Sequence, residues 1–281
     1  MGRVVVLWLA LLSAGRVVAQ LPPELARERA DYAAWLATSP VSPLAAIAQQ
    51  PVGNGLELGP SDADIPLDGV PRHQLTQRGG AVTLDGPTGR RAVPRGARVR
   101  VGAYTLLVDG PAGRAVLTVF GSPRPHAHPE FYPYQRSLAF SGPLAPAERP
   151  GRVRVLGMDG IEVEAAEAGS VLLPIQGDRV RLRVLRLPTT GGEESELEIF
   201  FRDATNADGS YPAGRFVTLV PVGAGNYRLD FNRARNPFCA YSTAYPCPAP
   251  WRGNTIAAPV PAGERYKGGT VPAPAVPAEV P

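Results

Sequence analysis

The sequence predicts a mostly β protein: one short N-terminal helix, then two antiparallel β-sandwich or barrel-like segments and a disordered Pro/Ala-rich tail. Three observations carry this. Across 281 residues, 32 prolines and 31 glycines break the chain into short Val/Leu/Arg runs, the pattern of short strands joined by turns. Helical periodicity is confined to one stretch near the N-terminus. The hydrophobic fraction of 44% supplies a core.

Residues 1–19 read as a secretory signal peptide: Arg3, an apolar run over 4–12, then Val17 and Ala19 as small residues before a cleavage point at Gln20. A membrane span needs about 20 apolar residues, so the run is too short to cross, and no other stretch is longer. No transmembrane segment is therefore expected in the mature chain. No Cys follows the cleavage point to carry a lipid. The expected location is exported, periplasmic or extracellular. Removing residues 1–19 takes away Arg3 and Arg16 and no acidic residue, lowering the formal charge from +4 to +2. The remaining basic residues are dispersed, and in Arg179-x-Arg181-x-Arg183 they alternate with apolar ones as on a half-solvated strand. No nucleic-acid partner is expected.

Residues 20–52 form a helix and a linker. Leu25, Arg29, Tyr32, Trp35 and Leu36 make one helical stripe over 22–38, with Pro22 and Pro23 at the entry and Ser39-Pro40 at the exit. Residues 53–119 form the first β segment. Residues 120–264 form the second, with strands expected at 152–156, 161–165, 171–175, 179–187, 196–202, 215–220 and 227–231. Residues 265–281 form the tail, which beyond Gly268-Gly269-Thr270 holds little but Pro, Ala and Val.

Cys239 and Cys247 are the only cysteines. In an exported chain so close a pair reads first as a disulfide pinning a Pro-rich loop, worth roughly 2–3 kcal/mol in the chain-entropy model. A metal site would need two further ligands, and the histidines are His73, His126 and His128. His126-x-His128 lies between Pro125 and Pro129, which favours an extended loop. No metal and no cofactor is expected.

The densest constellation lies at 198–264: Phe201-x-Asp203-x-Thr205, Tyr211-x-x-Gly214-Arg215, Asp230-Phe231-Asn232-Arg233, Asn236-Pro237-x-Cys239, Cys247-Pro248, Asn254 and Gly263-Glu264. This order and spacing resembles a secreted bacterial family known as a domain of unknown function, DUF1684. Asp203, Thr205, Arg215, Asp230, Asn232, Arg233 and Glu264 are the candidate ligand-binding or structural cluster. If the strand ends meet, carboxylates for proton transfer or cation binding would face arginines for an anionic ligand. Equally, Arg215 and Asp230 would form a buried pair locking the strands, with Glu264 more exposed near the chain end. Asp203-x-x-Asn206-x-Asp208-Gly209 departs from a calcium loop at the first and last ligand positions and reads better as a turn.

Gly59-Pro60-Ser61-Asp62, Pro71-Arg72-His73, Val82-Thr83-Leu84, the run 96–102 and the run 104–108 are similar to the forkhead-associated β-sandwich. That resemblance places Pro60 at the family's phosphate-gripping Arg and Pro71 at its Ser. It implies a scaffold that has lost phosphothreonine recognition. The preferred functional reading is a soluble extracytoplasmic binding or structural module for an unidentified ligand or protein partner. The alternative is an extracytoplasmic hydrolase working through carboxylates of the cluster, since no Gly-x-Ser-x-Gly elbow, phosphate loop or His-Glu-x-x-His helix is present.

Overall fold

A computed structural model describes residues 20–124, 129–189 and 194–267. The signal peptide expected at 1–19, His126, His128 and residues 268–281 of the expected tail lie outside the described residues. Mostly β architecture with one N-terminal helix is observed.

Helix α1 spans Pro23–Thr38 and starts with Pro in its first turn, where a missing N–H costs nothing. The amide of Ser39 closes it on the Trp35 carbonyl at 2.9 Å, and Pro40 prevents continuation. Leu25 and Leu36 are the stripe residues it buries.

The first unit contains β1 (Ala46–Pro51), β2 (Leu56–Gly59), β3 (Ile65–Pro66), β4 (His73–Arg78), β5 (Ala81–Gly86), β6 (Gly89–Ala92), β7 (Arg98–Val101), β8 (Tyr104–Asp109) and β9 (Val116–Phe120). They form two sheets, ordered β1-β9-β8-β7 and β3-β2-β4-β5-β6. Alternation along the strands sends Leu58, Leu75 and Leu84 from one sheet and Leu106, Leu117 and Val119 from the other into a shared core. Strand β1 corrects the expected linker: residues 46–51 pair with the last strand of the unit. Nothing in Ala-Ile-Ala-Gln-Gln-Pro alternates strongly enough to announce an edge strand, and the pairing comes from the partner.

The second unit contains β10 (Ala139–Pro143), β11 (Ala145–Pro146), β12 (Arg152–Leu156), β13 (Glu162–Ile175), β14 (Asp178–Pro188), β15 (Ser195–Phe201), β16 (Arg215–Gly223) and β17 (Asn226–Asp230). Its single sheet runs β10-β17-β16-β15-β14-β13-β11, with β12 also on β13. Strands β10 and β13 approach each other, so the sheet curls into a barrel-like form around Val184, Leu182, Ile199, Phe201, Val217 and Leu229. The two short strands expected at 161–165 and 171–175 are one strand, β13, whose register shifts between Glu167 and Gly169. The small residues Ala165 to Ser170 look like a turn in sequence and act as a bulge that bends one long strand.

A second apolar layer lies outside the barrel. Phe200, Phe216, Trp251 and Leu187 pack there against Leu36, Leu44 and Phe120, so the helix, the sandwich and the barrel share one core. The expected tail begins too early. The Arg265 amide donates to the Glu130 carbonyl and that of Tyr266 to Gly209, so ordered backbone continues through these residues.

Candidate functional site

Cys239 and Cys247 are disulfide-bonded, with Cα atoms 5.5 Å apart. The bridge closes the Pro-rich loop beside the barrel, where the Tyr211 hydroxyl donates to the Cys239 carbonyl at 3.3 Å.

The motif cluster sits at one end of the barrel. Strand β15 ends at Phe201, and Asp203 caps the next turn. Its Oδ1 accepts from the Thr205 amide at 2.8 Å, and Asn206 Oδ1 accepts from the Asp203 amide at 2.6 Å. Both arms of a capping box are thus present, which engages Asp203 and Asn206, two of the three side chains that resembled a calcium loop. Gly214, at φ +119°, brings the chain back; a Cβ there would lie 2.6 Å from the Phe201 carbonyl oxygen, so only glycine fits. That return places Arg215 opposite Phe201.

Arg215 and Asp203 form an ion pair at 2.7 Å with both side chains at 0% exposure. The same guanidinium donates to the carbonyls of Val260 at 3.0 Å, of Glu264 at 3.4 Å and of Ala262. Asp203 Oδ1 also accepts from the Val260 amide at 3.0 Å. The pair therefore straps residues 260–264 across the barrel end. Gly263, at φ +77°, passes so close to the Phe231 carbonyl oxygen that a Cβ would meet it at 2.6 Å.

The expected pairing of Arg215 with Asp230 is thereby corrected. Asp230 accepts at Oδ1 from the Asn232 amide at 3.0 Å and from Asn232 Nδ2 at 2.8 Å, and it pairs with Arg233 at 3.3 Å. Asn232 in turn clasps Gln135, accepting from its amide at 2.8 Å and donating to its carbonyl at 2.9 Å. Arg233 reaches α1 through Glu24 at 3.1 Å and through Glu28. Arg215 and Asp230 lie on adjacent antiparallel strands, but the turn that follows β17 claims the Asp230 oxygens.

Glu264 is corrected too: it is 1% exposed. Its Oε2 accepts from the Asn236 amide at 2.9 Å and its Oε1 from the Tyr241 hydroxyl. Tyr241 contacts Tyr32 of α1, hydroxyl to hydroxyl, at 3.0 Å. Burial raises the Glu264 carboxyl above its ordinary range, opposed by the Tyr241 and Asn236 donors and by Arg235 and Arg215. The seven cluster residues thus divide among three adjoining networks built from protein donors and acceptors, with Arg215 Nε and Asn236 Oδ1 left without a partner among the described residues. Thr205 belongs to the first, its hydroxyl 2.7 Å from that of Ser210.

An open feature lies elsewhere. A cleft of about 260 Å3 separates the end of β8 from the barrel wall, lined by Asp109, Asp159, Glu196, Glu198, Phe216 and Phe238 among others. Glu198 is 9% exposed. Its Oε1 accepts from Thr218 at 2.8 Å, while its Oε2 is closed off from solvent with no hydrogen-bond partner among the described residues. Burial, against the opposing Thr218 hydrogen bond and with Glu196 adding to it, pushes this carboxyl up to about 8. Asp159 is pushed up to about 6, again by burial, with Asp109 adding to the shift against the hydrogen bond from Ile161. Asp109 itself accepts from Arg95 Nε at 2.8 Å. Both units contribute to the cleft, and Gln49 of β1 ties them by donating to the Asp159 carbonyl at 3.1 Å.

Sequence reasoning missed this cleft. The signal lay in β15, where alternation puts Glu196 and Glu198 on the face of Phe200, a carboxylate directed at a core side. Asp159, in Gly157-Met158-Asp159-Gly160, looks only like a turn residue. In the first unit, Arg72, next to Pro71, is held by Glu57 and by Asp62, the latter at 2.6 Å.

Fold and site define a two-unit β protein with a buried ionic brace at one barrel end and a carboxyl-lined cleft between the units. The chain belongs to the DUF1684 family, described as proteins of unknown function, whose family model matches residues 126–265. Among solved structures it is similar to an uncharacterized protein from gene locus rrnAC0354 of Haloarcula marismortui. The two are 28% identical over 51% of this chain and 82% of that one, with a TM-score of 0.44. No match was found among curated proteins.

Proposed function

We propose that the protein is an extracytoplasmic binding module whose family motif braces the barrel and whose ligand site is the cleft between the units. The observation that carries this is the Arg215–Asp203 pair at zero exposure: a substrate has no path to the carboxylate and guanidinium that a hydrolase of the cluster would use. Export rests on the apolar run and small residues at 4–19. The first unit acts as a scaffold, since its Pro60 and Pro71 offer no guanidinium fork or hydroxyl to a phosphate.

A hydrolase reading is favoured by one observation only: the two raised carboxyls, Asp159 and Glu198, sharing the cleft wall. Such groups suit proton transfer near neutral pH. Incubation with chromogenic esters, phosphomonoesters and glycosides tests both readings. No turnover above a heat-inactivated control is expected. Turnover abolished by Asp203→Asn with melting unchanged would restore the cluster as a catalytic site. Turnover abolished by Glu198→Gln in a folded variant would make the cleft an acid–base site.

A further inference from the structure

The cleft has an unbalanced wall. Asp109, Asp159, Glu196 and Glu198 line it with a single arginine, Arg95, and Arg95 is already engaged with Asp109. The remaining surface is apolar: Met158, Ile161, Val163, Leu187 and the rings of Phe216 and Phe238. Most acidic groups at a surface are solvated and need no further explanation. Glu198 differs. It is more than nine-tenths buried, its Oε2 meets no donor among the described residues, the carboxyl it neighbours is that of Glu196, itself an acceptor, and it stands in the wall of a cavity. A buried polar atom left unmatched costs about 1–3 kcal/mol, and native proteins retain few of them. Leu or Met at position 198 would fill a strand site beside Phe216 without that cost, so the carboxyl has to be explained by something that meets it.

An anion is disfavoured. It would face up to four carboxyls and find one guanidinium already spoken for. A neutral apolar molecule would fit the ring side and leave Glu198 unmatched. A small ligand with a cationic N–H donor at one end and an apolar body satisfies both sides: the donor completes Glu198, and the body lies against Phe238, Met158 and Val163. Aromatic faces add to the attraction for a cation. Thr218 holds Oε1 at 2.8 Å, which fixes the carboxyl plane and leaves Oε2 to be completed.

We propose that the cleft between the sandwich and the barrel binds a small organic ammonium compound, with Glu198 Oε2 accepting from its N–H and the apolar wall holding its body. This rests on the reading of the cleft as the ligand site and adds the chemistry of the ligand. Burial makes Glu198 and Asp159 weaker acids than usual, which accords with it, because a bound cation offsets the cost that burial places on their charged forms.

The test uses three probes of one shape and different charge: benzylammonium, benzyl alcohol and benzoate, titrated into the purified 15N-labelled protein. Expected are saturable shifts of the amides of Met158, Asp159, Glu198 and Phe238 with benzylammonium, at least tenfold weaker binding in Glu198→Gln, and no saturable cleft shift with benzoate. If Glu198→Gln does not fold, Asp159→Asn must weaken benzylammonium in the same direction. Equal affinity for benzyl alcohol and benzylammonium overturns the cationic assignment and leaves the cleft as a binding site. An affinity for benzylammonium untouched by a folded Glu198→Gln overturns the role of Glu198. Absence of cleft shifts with all three probes overturns the cleft reading itself.

Discussion

Glu264 shows how a single residue's role depends on burial that sequence position conceals. It stands near the end of the described residues, close to the chain terminus, where side chains are commonly solvated, yet a strap pinned by Arg215 carries it into the interior. Glu264→Ala leaves the Asn236 amide and the Tyr241 hydroxyl without their acceptor. A loss of roughly 1–3 kcal/mol for each unsatisfied donor follows, measurable by chemical denaturation; an unchanged midpoint would contradict the network. Glu198 makes a pH prediction. Its carboxyl ionises at the ordinary 4.5 when unfolded and at about 8 when folded. The folded state favours the neutral acid, so its contribution is intact below pH 4.5 and is lost as pH rises through 8. Glu198→Gln cannot ionise, so its stability relative to wild type should climb across that window. A difference that stays flat with pH would place the Glu198 carboxyl in water. Asp159 shifts in the same sense but is present in both proteins and cancels in the comparison. Of the cluster, Arg215 and Asp230 were expected from their strand-end positions as a buried pair, and Asp203 as the acceptor of its own turn. Their partners were not legible, because an ion pair is chosen by where a turn sends a carboxylate, and Gly214 decides that for Arg215.

Among elements, the strands with a clear apolar alternation were legible to within two or three residues: Arg152–Leu156 as expected, and Asp178–Pro188 and Asn226–Asp230 close to it. Edge strand β1 and bulged strand β13 were not, since both are decided by the neighbours they pair with. Helix α1 was legible, but its anchoring was not. It is fastened through Arg233 to Glu24 and Glu28 and through Arg29 to the Asn232 carbonyl at 3.2 Å. These pairs are partly exposed, so each is worth little, and Arg233→Ala should cost only about 1–2 kcal/mol. Its signature is local: faster amide exchange across Pro23–Thr38 with the barrel strands unaffected. Uniform acceleration throughout the protein would instead show α1 inseparable from the global fold. The disulfide was legible from its close spacing together with the expectation of export. Its reduction should lower stability by about 2–3 kcal/mol, as closing a loop eight residues apart implies, seen as a denaturation midpoint shifted by reductant and absent in a Cys239→Ser, Cys247→Ser variant.

For the whole molecule, the two expected β segments exist but do not stand apart. Phe120 at the end of the sandwich, Leu36 of the helix and Phe200 of the barrel meet in one core, and the cleft is the gap left where that contact ends. A junction cannot be read from a one-dimensional pattern, because its two walls come from residues nearly a hundred positions apart, Asp109 and Glu198. In the proposed function the family motif braces the barrel end and is not itself a ligand site. A double-mutant cycle on Arg215 and Asp203, followed by equilibrium denaturation, tests it most directly. Each single change to Ala strands a buried charge and should cost about 3–5 kcal/mol. The double change removes both charges and should cost clearly less than the two singles combined. Near-wild-type stability in both single variants, or strict additivity, would contradict the brace.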